Sequence, residues 1–355
     1  MRPTRWLSAL LVLAVAAGLT PTPAQAQARD RLTPAGRAQA RAALAGTAAA
    51  APAAWNEIMG AGDIDADPDQ VGTDDLATSE LLRQAMPATV FTAGDNQYPW
   101  GQIEDYQDPN GYSGTWGRPP LKAITCAAVG NHEYLDPRTG PAGFLDYFSP
   151  NCPHRPDVEY ARTSGGAVIR TAYAFRPAPG SGWWAYILDS QCTHHDRPLT
   201  EFGPSCDRTG NMLNWFRAHM AAHPARCRLA IWHHPRWISG SAGADEDPRV
   251  YELYNVSAYQ GRISLILNGH HHSYERFTSM LADGRIDRTY RAPRSITVGT
   301  GGAQLVPFTA PARVGTRFRT ASRHGVLRVR LDPGRWVSEF DSTDGTVLDR
   351  ASAGC

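Results

Sequence analysis

From residue 55 onward, short apolar runs that end in small or polar residues punctuate the chain. They occupy residues 55–62, 88–94, 123–130, 183–188, 228–232 and 263–268, and runs of this length bounded by turn residues predict buried strands. Residues 78–86 and 211–222 space their apolar side chains three and four apart, which predicts helices. Gly- and Pro-rich stretches at 99–120 and 135–180 predict long loops. Beyond Gly325 the texture becomes alternating. Val326, Leu327, Val329 and Leu331, then Trp336, Val337 and Phe340, interleave with polar residues and predict antiparallel strands closing a second sheet.

Charge and composition narrow the picture. The 355-residue chain carries a formal net charge of +1, so no broad field points to nucleic acid or to an anionic membrane. Its first residues differ from the rest. Arg2 and Arg5 precede an apolar stretch from Trp6 to Leu19, followed by Ala24-Gln25-Ala26, the order of a secretory signal cleaved before Gln27. That stretch is shorter than the ~20 residues a membrane span needs. Residues 1–26 are therefore expected to be a signal peptide, residues 27–53 an Ala/Pro/Arg-rich linker or loose helix, and residues 54–355 the functional domain. The product would be extracellular. Six cysteines suit disulfides in that compartment, and the shortest loop suggests Cys192 with Cys206.

Candidate chemistry gathers where strands stop. Five predicted strands run into Gly62-Asp63-Ile64-Asp65, Gly94-Asp95-Asn96-Gln97-Tyr98, Gly130-Asn131-His132-Glu133, Trp232-His233-His234-Pro235 and Gly269-His270-His271-His272. Carboxyl ends of strands are where open α/β sheets collect ligands. One such segment means little, but together they offer carboxylates, an amide oxygen and imidazoles. That mixture suits zinc, manganese or iron better than calcium or magnesium. A carboxylate can bridge two cations about 3.5–4 Å apart, and such a pair activates water and steadies charge on a phosphoryl group.

In their order, these segments resemble the calcineurin-like metallophosphoesterase superfamily and, within it, the purple acid phosphatase-like branch. Gly94-Asp95-Asn96-Gln97-Tyr98 and the run from His270 to Arg276 carry the resemblance most specifically. It covers about residues 55–305 and implies a four-layer α/β/β/α sandwich of two mixed β-sheets. It also implies two metal ions. One, ferric if Tyr98 binds as tyrosinate, would take Asp63, Asp95, Tyr98 and His272. The other, divalent zinc, manganese or iron, would take Asp95, Asn131, His233 and His270. His132 would face the phosphate as acid and charge stabiliser.

Neighbours of these positions have lesser expected roles. Asp65 and Glu133 are supporting candidates, and His234 and His271 adjoin ligand positions, so on extended backbone each points away. Ala242 stands where similar bacterial sequences carry a histidine, which leaves His132 as the acid. Gly299-Thr300-Gly301-Gly302 lacks the Lys-Ser/Thr of a phosphate loop and predicts a tight turn. His194 and His195 suit a solvated loop. Trp100, Tyr112, Trp116 and Phe144 could wall a substrate or pack the loops. The expected activity is hydrolysis of a small phosphate monoester. The alternatives are a phosphodiesterase or nuclease of the same fold, and a secreted metal-binding module without turnover.

Overall fold

The computed structural model describes residues 55–64, 73–136, 139–191, 210–240, 250–260 and 262–355. The predicted signal, the linker, Asp65, Cys192, His194, His195, Cys206 and Ala242 lie outside them.

The strands of the described residues form two sheets. In the first are β1 (Glu57–Ala61), β2 (Thr89–Ala93), β3 (Thr125–Ala128), β12 (Gly325–Asp332), β13 (Arg335–Ser342) and β14 (Val347–Gly354), in the order β14-β13-β12-β1-β2-β3. The second holds β4 (Glu159–Arg162), β5 (Val168–Phe175), β6 (Trp183–Ile187), β7 (Cys227–Ile231), β8 (Leu265–Asn268), β9 (Tyr274–Phe277), β10 (Arg294–Val298) and β11 (Thr316–Thr320), in the order β11-β9-β10-β8-β7-β6-β5-β4. Both are mixed: β1, β2 and β3 run parallel, as do β6, β7, β8 and β10, with antiparallel strands beside them.

Two-residue periodicity explains the layers. Trp183, Ala185 and Ile187 of β6, with Cys227, Leu229 and Ile231 of β7, face the core shared with the first sheet. The intervening Trp184, Tyr186, Ala230 and Trp232 face a second core. That outer core is completed by Met212, Phe216 and Met220 of α4 (Asn211–Ala222), and by Leu253 and Tyr254 of α5 (Tyr251–Asn255). On the other side, α1 (Asp75–Ala85) lies against β12 and buries Leu82. The result is the four-layer sandwich.

Three loop and sheet expectations change. The C-terminal strands join the β1 sheet: β12 pairs antiparallel with β1 from Glu57↔Arg330 to Gly60↔Leu327. Alternation predicts a strand's faces but not which free edge it will occupy. The stretch 135–180 is not one loop; it holds α3 (Ala142–Tyr147) and the β4–β5 hairpin, turned at Gly165-Gly166. Likewise 99–120 contains α2 (Ile103–Gln107). Tyr112, Trp116 and Phe144 are fully buried, packed with Tyr106, Tyr147 and Phe148, so they are loop core rather than a substrate wall. Trp100 alone of that group is exposed, at 48%.

Among the described residues, two disulfides fasten the frame. Cys126 pairs with Cys152, and Cys227, at the start of β7, pairs with Cys355 just beyond β14, so the second joins the two sheets. Among the described residues no helix is long and apolar enough to cross a membrane.

Candidate metal centre

β1, β2, β3, β7 and β8 all deliver their carboxyl ends to one edge of the sandwich, where Asp63, Asp95, Asn131, His233 and His270 meet. Asp63, Asp95 and His270 adopt positive φ, at 58°, 49° and 70°. Such backbone is uncommon without glycine and is retained where surroundings over-determine it. Each follows a Gly, so the chain leaves the strand and turns the side chain inward.

Donor atoms fall into two groups. Tyr98 Oη lies 3.1 Å from Asp63 Oδ1, 3.1 Å from Asp95 Oδ2 and 3.0 Å from His272 Nε2, and His272 Nε2 is 3.4 Å from Asp63 Oδ1. In the other group, His233 Nε2 is 3.1 Å from Asp95 Oδ2 and 3.0 Å from Asn131 Oδ1, with His270 Nδ1 at 3.0 Å from the same amide oxygen. Asp95 belongs to both. Ligands ~2.1 Å from a cation sit ~3.0 Å apart along an octahedral edge and ~3.4 Å along a tetrahedral one. Each group therefore has the spacing of a coordination shell, and its donors suit a borderline cation.

Backbone carbonyls aim the rings. His233 Nδ1 engages Ala93 O at 2.8 Å and His272 Nδ1 engages Gln304 O at 2.8 Å, so each Nδ1–H donates and Nε2 is left facing the site. Gln304 has no sequence signature, because its contribution is a main-chain oxygen. Close approach also explains the glycines. A Cβ on Gly130 would stand 2.2 Å from Asp95 Oδ1, and one on Gly299 would stand 2.6 Å from Asp63 Oδ2. The Gly299–Gly302 turn is thus a wall behind Asp63, a role the sequence did not suggest.

Glu133 does more than its position suggested. Fully buried, it accepts Gly130 N–H at 2.6 Å, Asn96 N–H at 2.7 Å, Tyr106 O–H at 3.0 Å, Asp95 N–H at 3.2 Å and Gln97 N–H at 3.4 Å. It ties the Asp95 loop to the Asn131 loop. Burial and the charge of Asp95 push its carboxyl up, and the N–H groups of Gly130 and Asn96 pull against that.

The other histidines divide. His132 donates Nδ1–H to Pro99 O at 2.7 Å, lies with its ring 4.2 Å from that of Tyr98, and turns Nε2 toward Asp95 Oδ2 at 4.0 Å. His271 points away as expected: it bonds Ser273 Oγ at 2.7 Å, stacks on Phe308, and burial holds it down at about 4. His234 departs from expectation. Its ring packs 4.4 Å from that of His270 while Nδ1 meets Ser190 Oγ at 2.9 Å, because the chain after β7 turns rather than staying extended.

Electrostatics describe the cation-free protein. Burial pushes Asp63 up, and His272 and His233 offset only part of that. Burial also raises Asp95, but the charge and hydrogen bond of His233, with His132 behind, hold it well below the carboxylate range. Burial would lower His233, yet Asp95 and Asp63 push it up to about 9. Tyr98 is driven well above the usual phenol range by burial and then by the two carboxylates. A tyrosinate here therefore requires a cation between the phenol and Asp63 and Asp95.

Comparison with known proteins agrees with this fold. The fold matches a purple acid phosphatase from yellow lupin (18% identity, TM-score 0.58), covering 84% of this chain and 53% of that one. This chain thus spans about half the length of the lupin enzyme. It also matches GAP50, the anchor in the inner membrane complex of Plasmodium (12% identity, TM-score 0.57, 84% and 88% covered), and PhoD (13% identity, TM-score 0.51, 84% and 68% covered). A search of curated proteins gives no match. Residues 71–274, more than half of the 355, match the calcineurin-like phosphoesterase family, and the chain belongs to that family.

Proposed function

We propose that the chain is an exported phosphoesterase hydrolysing phosphate monoesters at a two-cation centre. Asp63, Asp95, Tyr98 and His272 hold one cation, and Asp95, Asn131, His233 and His270 hold the other. The observation that carries this is the pair of donor groups, spaced 3.0–3.4 Å and sharing Asp95. Bound there, two cations supply Lewis acidity at phosphorus and an acidified water as nucleophile. The protein's own residues do the rest. Asp95, kept ionised in a buried position, bridges the two donor groups. Glu133 and the glycine contacts prevent either carboxylate from drifting. His132, fixed through Pro99 O with Nε2 turned toward Asp95 Oδ2, would give the leaving oxygen its proton. Tyr98 makes the His272 side the ferric position, with zinc, manganese or iron(II) at the other. Export rests on the charged, apolar and small-residue order of residues 1–26 and on the disulfides.

The test is Asp95→Ala. Turnover of an aryl phosphate should vanish and metal content should fall, with loss of the visible tyrosinate–iron band of the parent enzyme. Unchanged turnover would sink the assignment, and an iron-loaded parent without the band would remove Tyr98 from the ligand set. Trp100, exposed beside the residue that fixes His132, favours one further reading, a diesterase stacking a base or ring. Rates on an aryl monoester and its bis-ester separate the two. The sandwich is shared with a Plasmodium anchor, so metal bound without turnover on either ester would favour a binding module.

A further inference from the structure

A second set of metal-compatible side chains lies outside the strand-end cluster, where α4 meets the edge strand β4. His219 and His223 stand one helical turn apart on and just after α4, with rings stacked 4.1 Å apart at 19°. Their Nε2 atoms converge on one oxygen of Glu159 from β4, Oε2, at 3.4 and 3.5 Å. All three donor atoms lie within 4.8 Å of one another. The two histidine-to-glutamate separations match the ~3.4 Å edge of a tetrahedron around a cation ~2.1 Å from each ligand.

The site is built rather than incidental. His219 is only 3% exposed, and its Nε2 is buried, with Glu159 Oε2 3.4 Å away but outside hydrogen-bond geometry. Tyr186 Oη meets its other nitrogen, Nδ1, at 3.2 Å, so the ring is aimed with Nε2 toward Glu159. Trp184 meets both imidazoles in edge-type contacts, with ring centroids 5.0 Å apart in each. Two protonated imidazoles stacked this closely would repel one another, and a rotation of the His223 ring, 31% exposed, would let one cation meet both Nε2 lone pairs and the carboxylate.

We propose that Glu159, His219 and His223 form a further cation site, for a zinc-class divalent ion, with one coordination position open to solvent. The donors are two neutral imidazoles and a carboxylate, a set that takes zinc and, as a spectroscopic substitute, cobalt. Occupied, the site pins the exposed edge strand of the eight-stranded sheet to the helix covering that sheet.

The experiment uses the full-length metal-loaded protein with added zinc. Wild type should retain one equivalent more than His223→Ala and Glu159→Gln, both altered at partly exposed positions, while all three proteins turn over an aryl phosphate at the same rate. In the cobalt-substituted protein, subtracting either variant's spectrum should leave the strong visible absorption of a tetrahedral ion. Zinc should also raise the melting temperature of wild type and not of the variants. Equal zinc content in all three proteins overturns the proposal, as does a flat cobalt difference spectrum. Loss of phosphatase activity in His223→Ala would overturn the separation of this site from the strand-end centre.

Discussion

Glu133→Gln tests whether the loops that carry Asp95 and Asn131 are held by one buried carboxylate. Glutamine is nearly isosteric, so the change leaves no cavity. It keeps one oxygen for the Oε1 partners, Asn96 N–H, Gln97 N–H and Tyr106 O–H, but sets an NH2 group against Gly130 N–H and Asp95 N–H. Two buried donors then face a donor, at ~1–3 kcal/mol each, or ~2–6 kcal/mol in all. Removing a charge that burial and Asp95 already disfavour gives part of this back. The net expectation is a loss of ~2–4 kcal/mol in stability. A support removed from beside a metal ligand also costs ~10–100-fold in metal affinity or activity. Urea unfolding with a fitted slope reads the first quantity, and metal titration with steady-state kinetics on an aryl phosphate reads the second. If the variant unfolds at the wild-type urea concentration and keeps wild-type metal affinity, Glu133 does not organise the loops.

Other consequences are as direct. Gly130→Ala places a Cβ 2.2 Å from Asp95 Oδ1 and 2.3 Å from its backbone nitrogen, so Asp95 must shift. A displacement of that kind should lower kcat/KM ~100-fold, and wild-type kinetics would refute the close-approach argument. In the cation-free protein His233 stays protonated up to about 9, so a cation claiming Nε2 displaces that proton. Affinity should therefore climb as pH rises toward that value and fall in acid; calorimetry in buffers of different ionisation heat should find at least one proton released at neutral pH, and none released would contradict it. Cys355→Ser opens a cross-link between residues 128 apart and should cost ~2–5 kcal/mol, read as a lower urea midpoint than wild type under non-reducing conditions.

What was legible in the sequence was local. Asp63, Asp95, Asn131, His233 and His270 could be found because strand ends and donor types are adjacent in the chain, and the structure brings all five together. Sheet membership was not legible, since β12 could have bordered either sheet until its pairing with β1 decided. Glycine and proline concealed the β4–β5 hairpin, whose turn at Gly165-Gly166 resembled the loop around it. Glu133 stood in the motif, but its donors come from residues 96, 97 and 106 as well as from its own loop. His219 and His223 had helical spacing in plain view, yet the partner that makes them interesting is Glu159 on a distant strand. Gln304 contributes only a carbonyl, and no residue type announces that.

Each donor group draws on both sheets. Asp63, Asp95, Tyr98 and Asn131 follow β1, β2 and β3, whereas His233, His270 and His272 follow β7 and β8. Under the proposed two-cation reading, neither half of the sandwich could assemble a complete shell on its own, so cation affinity would require both halves to be docked. A substitution deep between them, at Ile187 or Leu229, would then alter metal uptake without touching a ligand. On that reading, metal affinity would gauge how faithfully the two halves have come into register.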